Sequence, residues 1–540
     1  METVALKAEN LNFRYPLAAK NTLNSISFEI KKGEFVVLCG ITGSGKSTLL
    51  RLLKKELSPE GEKSGSVFIN GKSIASFADG ESAGLVGYVA QQPEHQAVTD
   101  TVSRELAFGL ENIAMPQAAM HRRVAEVVSF FGLESVYNKK ISEISGGQKQ
   151  LVNLAAVTAM SPEILLLDEP TAQLDPIAAQ EFITAVSKLN RETGVTVIMA
   201  DHLLEDSVSL CDKLLVLREG GVLAFDTPKK VASSLANEPE SAMMPAAARV
   251  YYAANGGGEC PLSVREGRAY LENVLNGDCA AVPCEKYTRT ERAALEFKNV
   301  YFRYSKKSPD VLRDASFTVC GGEAFFILGG NGSGKTTALG IAAGLREQYS
   351  GEVRVFGKKI KEYKNGSLYG ACLAYLPQEV ESTFLCDTLG EELGAAKDIF
   401  LSFGMSERLL AVHPYDLSGG EKQLAALAKL VYKNPRLVLL DEPTKGIDCC
   451  AAELVARVID KLKADGAAVV CVTHDAEFAA RCADRCTMFF DGGAEGTAPM
   501  REFFCENSFY TTAVRRMSKG ITENTVTVSD IAALMEKGAR

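Results

Sequence analysis

The sequence predicts an α/β protein made of two tandem domains, each built on a mostly parallel sheet with helices over both faces. Two observations predict it. Short apolar runs of strand length at 35–39, 164–167 and 195–200 alternate with helical stretches, and the same runs return at 324–328, 437–440 and 469–473. Each run at 35–39 and 324–328 leads straight into a glycine-rich stretch: Gly40-Ile41-Thr42-Gly43-Ser44-Gly45-Lys46-Ser47, then Gly329-Gly330-Asn331-Gly332-Ser333-Gly334-Lys335-Thr336. At 540 residues the chain is long enough for two to four cores.

The repeat sets the domain organisation. Lys46 and Lys335 are 289 residues apart, Gln91 and Gln378 287, Ser145 and Ser418 273, and Asp168 and Asp441 again 273. The copies therefore keep register except between the glutamine and the Ser-Gly-Gly run, 54 residues in the first copy and 40 in the second. The expected first domain is 1–235 and the second 293–500. Residues 236–292 lack the repeated motifs and read as a connector with some helix near 245–254; residues 501–540 read as a C-terminal extension.

The glycine runs carry the first chemistry. Gly-x4-Gly-Lys-Ser/Thr after a buried strand lets backbone N–H groups point at phosphates, and the helix that follows adds its positive end. Gly40, Gly43, Ser44, Gly45 and Thr48 line one such loop, and Gly329, Gly332, Ser333, Gly334 and Thr337 the other. Lys46 and Lys335 would reach the β- and γ-phosphates of ATP, while Ser47 and Thr336 would each offer a hydroxyl to Mg²⁺. A lone match could be a turn that binds nothing; two matches, each behind an apolar strand, make that reading untenable. Asp168 and Asp441 end apolar runs, where a carboxylate suits the Mg²⁺ shell, and Glu169 and Glu442 follow where a base can activate water.

Composition narrows the partners. A net charge of −9 argues against a general nucleic-acid binder, which needs a basic surface to displace counterions. No stretch approaches the roughly 18 apolar residues of a membrane-spanning helix. The start, Met1-Glu2-Thr3-Val4-Ala5-Leu6, does not read as a signal peptide. The expected location is the cytoplasmic face of the membrane, with attachment through partners. Fourteen scattered cysteines, with groupings no closer than Cys449-Cys450, Cys279-x4-Cys284 and Cys482-x3-Cys486, read as reduced, passive thiols.

Ser145-Gly146-Gly147-Gln148 and Ser418-Gly419-Gly420-Glu421 complete the pattern. With them, nearly all of both halves resembles the ATP-binding cassette (ABC) ATPases, whose cassettes have a sheet core with a helical subdomain. The resemblance implies an aromatic stacked on adenine (Tyr15, Tyr304), a glutamine sensing the γ-phosphate and metal (Gln91, Gln378), and a histidine on the γ-phosphate (His202, His474). It further implies an aspartate in the loop that crosses the dimer (Asp175, Asp448), and head-to-tail pairing that seats ATP between one half's phosphate loop and the other half's Ser-Gly-Gly run.

Within that family, Gly87-Tyr88-Val89-Ala90-Gln91-Gln92-Pro93-Glu94-His95-Gln96, then Thr101-Val102 and Glu105-Leu106-Ala107-Phe108-Gly109, resemble the ATPases of energy-coupling-factor importers. Residues 508–517 are similar to the tail of their fused double form. That resemblance implies uptake of a vitamin or transition-metal ion through an integral membrane scaffold (T component) and a substrate-binding membrane protein (S component). The scaffold is expected to dock near the glutamine loops. The second copy departs from the first at Gln378-Glu379-Val380-Glu381-Ser382 and at Lys445-Gly446-Ile447-Asp448. A double cassette acting on ribosomes or DNA is the rival class, but the connector lacks a strongly charged helix and no N-terminal cysteine cluster is present. Another ABC importer, such as a sugar importer, is a further alternative; Glu169 and Glu442 both being present weighs against a chain with one degenerate site.

Overall fold

The computed structural model describes residues 3–16, 18–78, 80–202, 204–275, 281–282, 292–364 and 366–538. Cys279, Cys284 and most of the later connector lie outside these residues. The chain divides into two compact units, Met1–Ala248 with Gly257–Ser263, and Arg249–Gly256 with Val264–Arg540.

In the first unit β1 (Val4–Arg14) pairs antiparallel with β2 (Leu23–Lys31), and residues such as Phe13, Ile26, Phe28 and Ile30 turn to the core. β3 (Phe35–Cys39) is buried along its whole length and feeds the glycine loop and α1 (Lys46–Leu52). β4 (Glu62–Ile69) and β5 (Lys72–Ser73) complete a four-stranded antiparallel sheet, ordered β2-β1-β4-β5. After α2 (Glu81–Leu85) and β6 (Val86–Val89) comes a helical part: α3 (Pro93–Gln96), α4 (Val102–Asn112), α5 (Gln117–Phe131) and α6 (Gly146–Ala159). Val102, Leu106 and Leu110 of α4 meet Val124, Val127 and Val128 of α5 and Val152 and Ala155 of α6, each set spaced for one helix face. β7 (Ile164–Asp168), α7 (Pro176–Thr193), β8 (Thr196–Ala200), β9 (Lys213–Arg218) and β10 (Gly221–Asp226) finish a six-stranded sheet, ordered β10-β9-β3-β8-β7-β6. Only the edge strand β10 runs antiparallel to its neighbour. α8 (Pro228–Ser234) and α9 (Ala246–Ala253) follow, α9 spanning the division between the units.

The second unit takes α10 (Val264–Val274) and repeats the plan. β11 (Ala293–Phe302), β12 (Leu312–Cys320), β14 (Ser350–Val355) and β15 (Lys358–Lys359) form the antiparallel sheet; β13 (Ala324–Leu328) and α11 (Lys335–Ala342) flank the second glycine loop. α12 (Ser367–Ala371) and β16 (Leu373–Leu376) precede α13 (Leu389–Leu393), α14 (Lys397–Ser402) and α15 (Gly419–Tyr432). β17 (Leu437–Asp441), α16 (Cys449–Ala464), β18 (Ala468–Val472), α17 (Ala476–Cys482), β19 (Arg485–Phe490) and β20 (Gly493–Pro499) complete the sheet β16-β17-β18-β13-β19-β20. The length difference between the copies falls on helices: α4 and α5 have 11 and 15 residues, α13 and α14 only 5 and 6.

The antiparallel sheets are an addition to the sequence reading. Their central strand bonds a partner beyond the glycine loop and its helix, so only long-range pairing assembles them. The tail carries α18 (Met500–Glu506), α19 (Ala513–Ser518) and α20 (Val528–Gly538), with α10 packed on α19 and Arg268 donating to the Lys519 carbonyl at 2.7 Å. The repeat also reaches into the connector. The Ala246 N–H donates to Glu205 at 2.9 Å and the Ala513 N–H to Glu477 at 2.8 Å, each glutamate three residues after His202 or His474. Residues 241–246 thus occupy in the first copy the place of 508–513 in the second.

Candidate functional site

Each glycine loop leaves a buried strand and enters a helix through a residue that only glycine adopts easily: Gly45 at φ 100° and Gly334 at φ 103°, where a Cβ would press on Leu23 and Leu312. Gly40, Gly43, Gly329 and Gly332 also have positive φ. Lys46 and Lys335 are buried and curl back onto their own loops, each Nζ donating 2.8 Å to the carbonyl of Gly40 or Gly329. The hydroxyls of Ser44 and Ser333 are buried without a hydrogen-bond partner among the described residues. A cation and an orphan hydroxyl inside a ring of backbone amides suit an anionic ligand such as the phosphates of ATP.

A carboxylate faces each loop. Ser47 donates to Asp168 at 2.8 Å and Thr336 to Asp441 at 3.1 Å. Burial raises both aspartates above the usual carboxylate range, Asp441 to about 6, despite the hydroxyls that bond them. Those oxygen donors fit Mg²⁺, which takes one or two carboxylates together with substrate phosphates rather than an all-protein cage. The sequence reading missed Tyr88 and Tyr375, which donate to the other oxygen of Asp168 (2.7 Å) and Asp441 (3.4 Å). Their signal was available: each stands three residues before the repeated glutamine.

The glutamates gather the remaining groups. At the first site Glu169 accepts from Gln91 at 2.9 Å, and its other oxygen lies 2.7 Å from His202 Nε2 and 3.5 Å from Lys46. Burial alone would raise this carboxyl, but His202 and Lys46 outweigh it and hold it below its ordinary value. At the second site His474 Nδ1 lies 3.0 Å from Glu442. Gln378 is exposed and, among the described residues, makes no bond to Glu442. Five of the six expected catalytic groups therefore converge in two clusters, and Gln378 stands apart. Both glutamates adopt left-handed backbone, φ 47° and 49°.

Tyr15 and Tyr304 meet Thr48 and Thr337 through their hydroxyls at 3.1 Å, and the Arg346 guanidinium lies 4.7 Å from the Tyr304 ring. Ser145 and Ser418 cap α6 and α15, in capping boxes closed by Gln148 and Glu421. Gly146, Gly147, Gly419 and Gly420 form the first turns of those helices. Asp175 and Asp448 cap α7 and α16 by accepting from Ala178 and Ala451.

The ABC transporter family matches over residues 23–172 and 312–445, one stretch on each glycine loop and its partners. The chain belongs to the ABC transporter family. Like other ABC cassettes it is an ATPase that binds ATP. It is 38% identical over 539 residues to an ABC transporter ATP-binding protein of Bacillus thuringiensis, covering 97% of each chain. It is 31% identical over 503 residues to YkoD of Bacillus subtilis, named an HMP/thiamine import ATP-binding protein, covering 90% of each. Among solved structures, the complex of archaeal ribosome recycling factor aABCE1 with stalk protein aP1 matches with TM-score 0.59 and 20% identity over 92% of this chain and 91% of that one; at that identity it shows the fold alone. No helix among the described residues is long and apolar enough to cross a membrane.

Proposed function

We propose that this ABC ATPase is the motor of an importer of the energy-coupling-factor type, working with a separate membrane scaffold and a substrate-binding membrane protein to take up a vitamin or metal ion. The observation that carries the proposal is the end-to-end likeness to YkoD, whose name assigns it to import and whose likeness spans both cassettes. The segment 87–109 supports it.

In the proposed mechanism the loop amides, Lys46 and Lys335 hold the phosphates, and His202 and His474 stand beside the glutamates where a γ-phosphate oxygen would be held. Tyr15 and Tyr304 serve the adenine, and Gln91 links γ-phosphate occupancy to Glu169. Glu169 and Glu442 take the proton of the water that attacks the γ-phosphorus as the bond to the β–γ bridging oxygen breaks. Ser47 with Asp168, and Thr336 with Asp441, would hold Mg²⁺, which would supply neutralisation of the phosphate charge.

Affinity capture from detergent-solubilised native membranes, with mass spectrometry of the partners, tests the proposal. Recovery of one polytopic scaffold with a small membrane protein is the expected result. Recovery of ribosomal proteins, or of nothing membrane-embedded, would overturn the import reading and leave the ATPase standing.

A further inference from the structure

The two nucleotide sites differ at one place that the repeated motifs do not contain. The Gly329 N–H, at the entry of the second glycine loop, donates to the Tyr510 hydroxyl at 3.3 Å. That hydroxyl in turn donates to the carbonyl of His474 at 3.3 Å. One side chain from the C-terminal extension thus ties the end of β13 to His474, two residues after β18, which presents its imidazole to Glu442. The backbone around Tyr510 is itself anchored: Thr511 donates to the Phe504 carbonyl at 2.6 Å, Thr512 to that of Val526 at 2.7 Å, and the Ala513 N–H to Glu477.

Among the described residues, the first copy keeps the anchor and lacks the tie. Ala246 binds Glu205 as Ala513 binds Glu477, and counting back three residues from each gives Met243 and Tyr510. Met243 is buried but has a thioether, which donates no hydrogen bond and accepts only weakly. The histidines also differ: His202 turns Nε2 to its glutamate, His474 turns Nδ1.

We propose that Tyr510 is a positioning residue for ATP hydrolysis at the second site alone, holding His474 at a set distance from the glycine loop and making that site's turnover depend on the C-terminal extension. The inference rests on ATP hydrolysis and on the assignment of Glu169 and Glu442 as bases, not on the import reading. The tie ends on the carbonyl of His474, whose imidazole faces the base Glu442, so its loss is read in kcat. Two neutral hydrogen bonds at 3.3 Å are modest, so their loss should cost about two- to tenfold in turnover.

The test uses the purified full-length chain with one site silenced at a time. In a Glu169→Gln background, which leaves the second site to turn over, adding Tyr510→Phe should lower kcat for ATP by about two- to tenfold with KM changed by less than about twofold. In a Glu442→Gln background the same change should leave first-site kcat unaltered. Phenylalanine keeps the ring and its packing, and thermal unfolding midpoints of the paired variants check that the fold is retained. If the background variants show no glutamate-dependent turnover at all, the assignment of the bases fails first, and Tyr510 loses its role with it. Unchanged kcat in the Glu169→Gln background, an equal fall in both backgrounds, or a rise in KM alone would overturn the proposal.

Discussion

Glu169 and Glu442 sit at φ 47° and 49°, a region that costs a non-glycine residue about 1–3 kcal/mol. Each backbone is pinned there by its own N–H, which donates to the carbonyl of Ala200 or Val472. The strain turns the carboxylate off the end of a wholly buried strand and towards the histidine. Replacing both by glutamine keeps the shape and removes the base. Phosphate release should then fall by about a hundredfold or more while the protein still retains ATP on a filter or in a fluorescence titration. Single replacements should each leave the other site's turnover measurable. Tyr88 belongs to this scale as well: Tyr88→Phe removes the bond to the Asp168 carboxylate, and the concentration of Mg²⁺ that half-saturates hydrolysis should shift several-fold.

Among the elements, α20 is held by a capping arrangement with a charge inside it. Asp530 accepts from the N–H groups of Val526 and Thr527 at 2.9 Å and from both terminal nitrogens of Arg501 at 2.9 and 3.0 Å. Burial pushes its carboxyl up, but Arg501 and the two amides outweigh that and hold it below the ordinary value. A depressed carboxyl stabilises above its unfolded pKa of about 3.9, and the gain is lost as the pH falls through the folded value. Asp530→Asn should therefore weaken α20 by about 1–2 kcal/mol near neutral pH. Hydrogen exchange of amides 528–538 measures this, and the difference from the parent chain should shrink as the pH is taken below about 4.

At the scale of the whole molecule, the copies diverge in the segment between glutamine and Ser-Gly-Gly. The first copy builds two full helices over a shared apolar cluster, and the second builds short turns. If that segment carries the coupling to a membrane scaffold, replacing 92–144 by the second copy's 379–417 should abolish transport in reconstituted vesicles while ATP hydrolysis persists. Equal transport by the swapped chain would count against unequal coupling of the two halves.

Much of this was determined by the sequence alone. Wholly apolar runs ending in Gly-x4-Gly-Lys and in Asp-Glu specify buried parallel strands with chemistry at their ends, because no surface strand sustains five buried residues and a phosphate loop together. The glycine loops with Lys46 and Lys335 and the Asp-Glu pairs were legible for that reason, whereas the glutamines and histidines came only with the resemblance to the ABC ATPases. Tertiary structure decided the rest, through contacts distant in sequence. It paired β1 with β4 across the glycine loop, brought Gln91 but not Gln378 to its glutamate, and gave each aspartate a tyrosine. It also carried Tyr510 across 181 residues to Gly329. A hydrogen bond needs a distance near 3 Å, and local spacing cannot set that distance for residues joined only by the packing of a sheet.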